Sequence, residues 1–236
     1  MINYAHRGAS EYYPENTLMA FYAGLQMGAN GIETDVRITR DGVLVLFHDD
    51  SLLRVTGQEG AVSDYTFEEL QRFTVRHAVT GREDKIPSLE AFLRCFGWRN
   101  LHFAIELKAK HIEKEAAALL DRFNMRSKTV VTSFSFDNLE RMRDCAPHYR
   151  LGYLYKPEET EAEEKAQRIC LEQLCPKAEI MDKAMVDALR AKGYSVRAWG
   201  VKDECLMRRV IESGADGMTV NFPDKLYEAL KQQRKG

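Results

Sequence analysis

The sequence predicts an α/β protein of the TIM (β/α)8 barrel type, and three observations predict it. Strand-like and helix-like segments alternate almost throughout the chain. About eight strand–helix pairs fit within 236 residues, which favours a closed ring of parallel strands over an open doubly wound sheet. No shift in composition marks a boundary, so residues 1–236 read as a single domain.

Taken in order, Ile2–His6 is the first strand. A helix follows from Glu15 to Met27, begun by Pro14, with Leu18, Phe21, Ala23 and Leu25 on an apolar face and Gly28 as its stop. Gly31–Thr39 reads as the second strand, Asp41-Gly42 as a tight turn, and Val43–His48 as a further extended run. From Asp49 to Pro87 the rhythm breaks. This stretch is polar, carries Gly57, Gly60 and Gly81, and holds one short helix signal at Thr66–Leu70. It reads as an insertion in which Leu52, Leu53, Val62, Leu70 and Phe73 form a satellite cluster.

The alternation then resumes with helix Ser88–Phe96, strand Leu101–Leu107 and helix Ile112–Phe123. Strand Thr129–Ser133, helix Phe136–Cys145, strand Arg150–Leu154 and helix Glu158–Cys170 come next. A weak strand at Leu171–Cys175 precedes helix Asp182–Lys192 and strand Tyr194–Trp199. Helix Asp203–Ser213, strand Gly217–Val220 and helix Asp224–Arg234 close the series.

Hydrophobic residues make up 44% of the chain and charged residues 30%, enough for a sizeable core under a polar surface. A net charge of -2 gives no electrostatic argument for nucleic acid or an anionic membrane as the main partner. The five cysteines are odd in number and lack CxxC spacing, so reduced thiols are expected rather than disulfides or a zinc site. No run approaches eighteen apolar residues and no leader pattern opens the chain. A cytoplasmic monomer or homodimer with no stable membrane insertion is therefore expected.

The chemistry gathers at strand ends. His6-Arg7 closes the first strand, Glu33 and Asp35 share one face of the second, His48-Asp49 ends the next run, and Glu106 and Lys108 share a face further on. In a barrel, catalytic groups come from such C-terminal ends. Three carboxylates from two parallel strands suit a hard divalent cation, Mg²⁺ or Ca²⁺. The histidines His6 and His48 suit acid–base work near neutral pH, and Arg7 and Lys108 suit a phosphate. Together they describe metal-assisted phosphoryl transfer. His102 shares the face of Glu106 but lies about 13 Å below it at ~3.3 Å per residue, and reads as structural.

These residues also carry a family resemblance. The runs His6-Arg7-Gly8-Ala9-Ser10, Pro14-Glu15-Asn16-Thr17, Gly31-Ile32-Glu33-Thr34-Asp35-Val36 and His48-Asp49 closely resemble those of glycerophosphodiester phosphodiesterases. So do Leu53-Arg54-Val55-Thr56-Gly57, Ile86-Pro87-Ser88-Leu89, Glu106-Leu107-Lys108, Ser133-Phe134, Trp199 and Gly214-Ala215-Asp216-Gly217. The resemblance implies a TIM barrel with a small insertion after the second strand, here approximately residues 50–86. It implies hydrolysis of small-molecule glycerophosphodiesters, such as glycerophosphocholine or glycerophosphoethanolamine, to sn-glycerol 3-phosphate and an alcohol. Position by position, Glu33, Asp35 and Glu106 would bind Mg²⁺ or Ca²⁺, and His6 and His48 would be the acid–base pair. Arg7 and Lys108 would hold phosphate, and Trp199 would line the glycerol pocket.

Two stretches depart from the family pattern. Trp199-Gly200-Val201-Lys202 stands where Trp-Thr-Val-Asn is frequent, and Val220-Asn221-Phe222-Pro223 where a strand commonly ends in Thr-Asp. Both border the expected mouth. Two other functions compete: a related phosphodiesterase acting on lysophospholipids, which needs an apolar groove at the mouth, and a catalytically silent barrel kept as a binding module, which normally loses a histidine or metal carboxylate. This chain keeps all of them.

Overall fold

In the computed structural model, which describes residues 1–233, the elements run in the predicted alternation. They are β1 (Ile2–His6), α1 (Leu18–Gln26), β2 (Gly31–Ile38), β3 (Leu44–Leu46), α2 (Leu53–Thr56), α3 (Phe67–Leu70), β4 (Val75–Arg76) and β5 (Glu83–Asp84). Next are α4 (Leu89–Phe96), β6 (His102–Leu107), α5 (Glu113–Arg122), β7 (Thr129–Ser133), α6 (Phe136–Cys145), β8 (Arg150–Tyr155) and α7 (Ala162–Arg168). The last are β9 (Gln173–Pro176), α8 (Lys183–Ala191), β10 (Ser195–Val201), α9 (Glu204–Ser213), β11 (Gly217–Val220) and α10 (Pro223–Gln233).

Eight strands pair in parallel in the order β1-β2-β6-β7-β8-β9-β10-β11, and β11 pairs back onto β1, closing the barrel. Period-2 alternation gives each strand two different faces. Outward residues such as Ile32, Phe103, Ile105, Val131, Leu151, Leu174, Val196 and Met218 pack against Phe21, Phe92, Leu120, Leu139, Leu189 and Val210 of the helices. Inward residues are mostly small or polar, with Val130 and Leu154 as apolar exceptions. A Cβ at Gly217 would stand 3.0 Å from the Tyr4 ring, so glycine there leaves the lumen room for a tyrosine.

Several helices start later than expected because their first polar residue caps rather than joins the helix. Ser88, Asp182 and Asp203 each accept a hydrogen bond from the third backbone N–H of α4, α8 and α9. Thr17 does the same for α1, so Glu15 and Asn16 lie outside the helix. The expected helix 158–170 shrinks to Ala162–Arg168, because Glu159 instead accepts from the Tyr153 hydroxyl and pairs with Lys165. Arg234, expected to end the last helix, lies outside the described residues.

After β2 the chain turns back through β3, which pairs with it antiparallel, and enters the irregular stretch. A second apolar cluster forms there from Val45, Phe47, Leu52, Val55, Val62, Leu70, Val75 and Ile86, with Phe73 packed beside it. Leu53 is a correction: it is 56% exposed, on the outer side of α2. The β4–β5 hairpin and α2 were not foreseen, since two-residue strands and a one-turn helix carry no readable period.

Candidate active site

Register brings the strand ends together. His6 pairs with Glu33 across β1–β2, and Asp35 with Glu106 across β2–β6, all at the C-terminal end of the barrel. Glu33, Asp35 and Glu106 are 3%, 1% and 5% exposed, and each offers an oxygen within 4.8 Å of the others. Arg7 follows β1 with a positive φ of 54°, and Gly8 with one of 86°. A side chain at Gly8 would overlap the backbone of Ala20, so only glycine lets α1 lie against this turn. The turn aims the Arg7 backbone N–H at two of the Glu33 oxygens, its carbonyl at 3.0 Å and its carboxylate Oε2 at 3.2 Å.

An unbroken series of alternating charges runs around this mouth. Lys108 Nζ lies 2.6 Å from Glu106 Oε1 and 3.4 Å from Asp35 Oδ1. Arg7 Nε lies 3.1 Å from Asp35 Oδ2, while its Nη1 donates to Glu15 Oε1 at 2.9 Å. Arg54 of α2 grips Glu15 through both terminal nitrogens, at 2.7 and 2.8 Å, and reaches Asp49 Oδ2 at 2.5 Å. The other oxygen of Asp49 accepts from His48 Nδ1 at 2.6 Å. Asn16 locks the middle of the series, donating to Asp35 Oδ2 at 2.9 Å while accepting from the Thr34 hydroxyl at 2.7 Å.

The two histidines are held differently. His48 meets the Asp49 carboxylate, whereas His6 Nδ1 meets the neutral amide oxygen of Asn221 at 2.6 Å. In both, an acceptor at Nδ1 holds a proton there, so Nε2 is the nitrogen that can take up or release one. The His6 Nε2 stands 3.9 Å from Glu33 Oε2. Across the mouth, Trp199 packs edge-on against Phe134 with centroids 4.8 Å apart, its indole N–H donating to the Tyr155 carbonyl. Lys108 Nζ lies 5.4 Å from the Phe134 ring centre, which joins this aromatic wall to the charged series.

The electrostatics follow from burial. Burial, then Asp35 and Glu106, push Glu33 up to about 8; burial and Asp35 push Glu106 up to about 7. Burial would raise Asp35 too, but Arg7 and Lys108 outweigh it and hold that carboxyl well below its usual range. Burial followed by Arg7 drives His6 downward, and burial lowers His48 as well, against the pull of Asp35. Three close carboxylates, two resisting ionisation, make a site that a divalent cation would complete. Among the described residues, Asp35 Oδ1 and Glu106 Oε1 are buried with Lys108 Nζ as their one polar neighbour, which leaves further lone pairs for a cation. The donor set is all oxygen, which fits Mg²⁺ or Ca²⁺.

All eight residues singled out in the sequence thus lie at one end of the barrel, although Arg7 and Lys108 make their close contacts with carboxylates. His102 opens β6 at the opposite end. Sequence reasoning missed Glu15, Asn16 and Arg54 as participants, along with the Asn221 contact and the buried Arg197. Glu15 and Asn16 carried a signal, a polar pair in a matching run, but a helix start explained it equally well. Of the departures, Gly200 has φ 72° where the β10–β11 register shifts, Lys202 is an exposed partner of Glu179, and Asn221 holds His6.

Comparisons with known proteins agree with this geometry. A family model described as the glycerophosphoryl diester phosphodiesterase family matches residues 6–225. A glycerophosphodiester phosphodiesterase of Caldanaerobacter subterraneus subsp. tengcongensis is 30% identical over 235 residues, covering 97% of each chain. One from Bacillus altitudinis is 32% identical over 243 residues, covering 98% of each. Among solved structures, an Oleispira antarctica phosphodiesterase in complex with the product sn-glycerol-3-phosphate superposes with a TM-score of 0.85 at 27% identity, covering 97% of this chain and 96% of that one.

Proposed function

Because the chain belongs to the glycerophosphoryl diester phosphodiesterase family, and is accordingly a phosphodiesterase, we propose that it hydrolyses glycerophosphodiesters such as glycerophosphocholine and glycerophosphoethanolamine to sn-glycerol 3-phosphate and the free alcohol, with Mg²⁺ or Ca²⁺ held by Glu33, Asp35 and Glu106. The observation that carries this reading is the buried carboxylate trio with a histidine on either flank. A bound divalent ion would supply Lewis-acid polarisation of the phosphoryl oxygens. Arg7 and Lys108, positioned by the carboxylates they touch, add positive charge for the phosphate, and Trp199 with Phe134 forms the apolar wall for the glycerol carbons.

Chemistry proceeds in two halves. The glycerol 2-hydroxyl attacks phosphorus: its O–P bond forms as the bond to the alcohol oxygen breaks, leaving a cyclic phosphate. One histidine takes the hydroxyl proton and the other gives a proton to the departing alcohol. The partners of the two rings divide these roles. A carboxylate stabilises an imidazolium and an amide does not, so His48 with Asp49 is the ring that carries the proton at the start. His6, facing Asn221 and driven downward by burial, stays neutral and accepts. Water then opens the ring with both roles reversed: His48 takes a proton from the water, His6 returns one to the 2-oxygen, and both rings regain their starting protonation states.

The test is release of sn-glycerol 3-phosphate from glycerophosphocholine, measured after EDTA treatment with and without added Mg²⁺ or Ca²⁺. Metal-restored release that Glu33→Ala abolishes is the expected result. Folded protein that releases nothing with either ion overturns the proposal. Activity on lysophospholipids alone would then assign that substrate class, and inactivity on both would leave a binding module.

A further inference from the structure

Arg197 belongs to none of the roles above. It is the largest of the fully buried side chains, 1% exposed, and it points into the lumen from β10, two residues before Trp199. Its Nε donates to Gln173 Oε1 at 3.2 Å and its Nη1 to Thr219 Oγ1 at 2.6 Å, while the guanidinium lies 5.4 Å from the Tyr4 ring centre. Nη2 has no hydrogen-bond partner, and among the described residues no carboxylate lies within ion-pair distance. An arginine cannot shed its charge, and a buried charge with neutral partners alone is costly. Compensation must come from anions slightly further away.

Those anions are overhead. Tyr4 is level with Gly31 on β2 and with Thr219 on β11; Gly31 lies two residues below Glu33, and Tyr4 two below His6. Arg197 itself is level with Gly217, and its guanidinium reaches the Thr219 and Tyr4 side chains two residues further along, about one step of 6.6 Å at ~3.3 Å per residue beneath the level of His6 and Glu33. Among the described residues, Glu33 is also the member of the trio with no lysine or arginine side chain within 4.0 Å, and its one ion-pair contact is His6. The lone cation and the carboxylate that lacks a cation stand in adjacent layers. Counting charges, Glu33, Asp35 and Glu106 balance Arg7, Lys108 and Arg197, three against three. Adding Glu15 and Asp49 with Arg54 makes five carboxylates against four fixed cations, so a divalent ion leaves the site with one positive charge, or two when His48 is protonated, for a phosphodiester monoanion that gains a further negative charge as it reacts.

We propose that Arg197 is a built-in floor cation of this active site, one that weakens the carboxylates' hold on the divalent ion and strengthens the site's hold on the reacting phosphate. It touches no substrate atom and acts through its field, so it is a positioning charge rather than a catalytic group. The inference rests on the reading of Glu33, Asp35 and Glu106 as metal ligands and of a phosphodiester as substrate.

The experiment compares Arg197→Met, Arg197→Gln and Arg197→Lys with the unmodified enzyme, reading Ca²⁺ affinity by calorimetry and kcat and KM on glycerophosphocholine. Loss of the charge should tighten Ca²⁺ binding by about tenfold and lower kcat by about 10- to 100-fold, as expected of a unit charge at this range in a buried setting. Arg197→Lys should fall between the parent and the neutral variants on both readouts, since a buried lysine among neutral partners keeps its charge only in part. A packing role predicts the opposite sign for metal: weaker or unchanged Ca²⁺ binding in folded Arg197→Met or Arg197→Gln overturns the proposal. If neither neutral variant folds, the lysine variant decides: Ca²⁺ binding at least as tight as the parent's sustains the proposal, and weaker binding overturns it. An enzyme that binds Ca²⁺ more tightly without Arg197, yet turns over no glycerophosphodiester in its unmodified form, would sustain the field effect on the metal while overturning both the substrate reading and the role toward phosphate.

Discussion

The same eight strands present two unlike faces. Outward, residues such as Ile32, Phe103, Ile105 and Val196 are fully buried against helices in one continuous apolar layer. Inward, the next residues along are Glu33, Asp35, Glu106, Thr132, Gln173, Arg197 and Thr219, all buried and all polar or charged. Among the described residues, Thr132 Oγ1 and Arg197 Nη2 have no hydrogen-bond partner, and Asp35 Oδ1 and Glu106 Oε1 meet only the Lys108 ammonium. The contrast teaches a division of labour. The outer layer holds the barrel closed, and its surplus stability permits a lumen that is arranged for charge rather than for cohesion.

Substitution on the two faces should separate activity from stability. Glu33→Gln keeps the side-chain shape but removes a metal ligand; turnover should fall by at least about 10⁴-fold, roughly 5.5 kcal/mol of transition-state stabilisation. Metal-free Glu33→Gln should nevertheless unfold no more easily than the parent in urea, because a charge resisted by its neighbours is gone. Phe92→Ala on the outer layer, where Phe92 packs edge-on against Phe21 and Phe103, should do the reverse. It should cost about 3–5 kcal/mol of stability and leave kcat of the folded fraction unchanged. Equal destabilisation by the two changes would dissolve the distinction.

The two faces were not equally legible in the sequence. Alternation of apolar and polar residues revealed the barrel, and β7, α6 and β11 fall on the expected residues because their apolar periods are short and clean. Glu33 with Asp35 and Glu106 with Lys108 were legible because an i, i+2 spacing on a strand is itself a spatial statement. The contacts that finish the site were not. Glu15 meets Arg54 across 39 positions, and His6 meets Asn221 across 215. Nothing local encodes such a pairing. Arg197 left only a faint trace, a charge at an inward position of a strand, which solvent exposure explained equally well until closure of the ring placed it inside.

The histidines sharpen the comparison, since His6 ends a barrel strand and His48 stands at the threshold of the insertion. With glycerophosphocholine, alanine at either position should lower kcat by at least about 10²-fold, or roughly 2.7 kcal/mol. With the 4-nitrophenyl diester of glycerol phosphate, whose leaving group needs no proton, His48→Ala should recover most of that loss and His6→Ala should recover little. Recovery by His6→Ala instead would exchange the two assignments.

The smallest effect reads the lumen through pH. Glu33 and Glu106 ionise in the folded protein near 8 and 7, against 4.5 as the ordinary value. Their raised values stabilise the fold fully below about pH 4.5, and that contribution is lost as pH rises through 7 and 8. His6 and His48 are shifted downward, so their contribution runs the other way, but it is complete once the unfolded histidines are neutral above about pH 6.5. Asp35, held low, is ionised in both states throughout this range. Between pH 6.5 and 8 the two glutamates therefore act unopposed within the site, and metal-free protein should lose about 2 kcal/mol of stability there. Saturating Ca²⁺ keeps both carboxylates ionised and should flatten the slope, so the stabilisation it confers grows with pH. Urea unfolding in EDTA and in Ca²⁺ at three pH values checks this directly. Metal-free stability that rises across the window would mean the outer layer's apolar insulation does not extend to the carboxylates, and that the lumen is wetter than its burial implies.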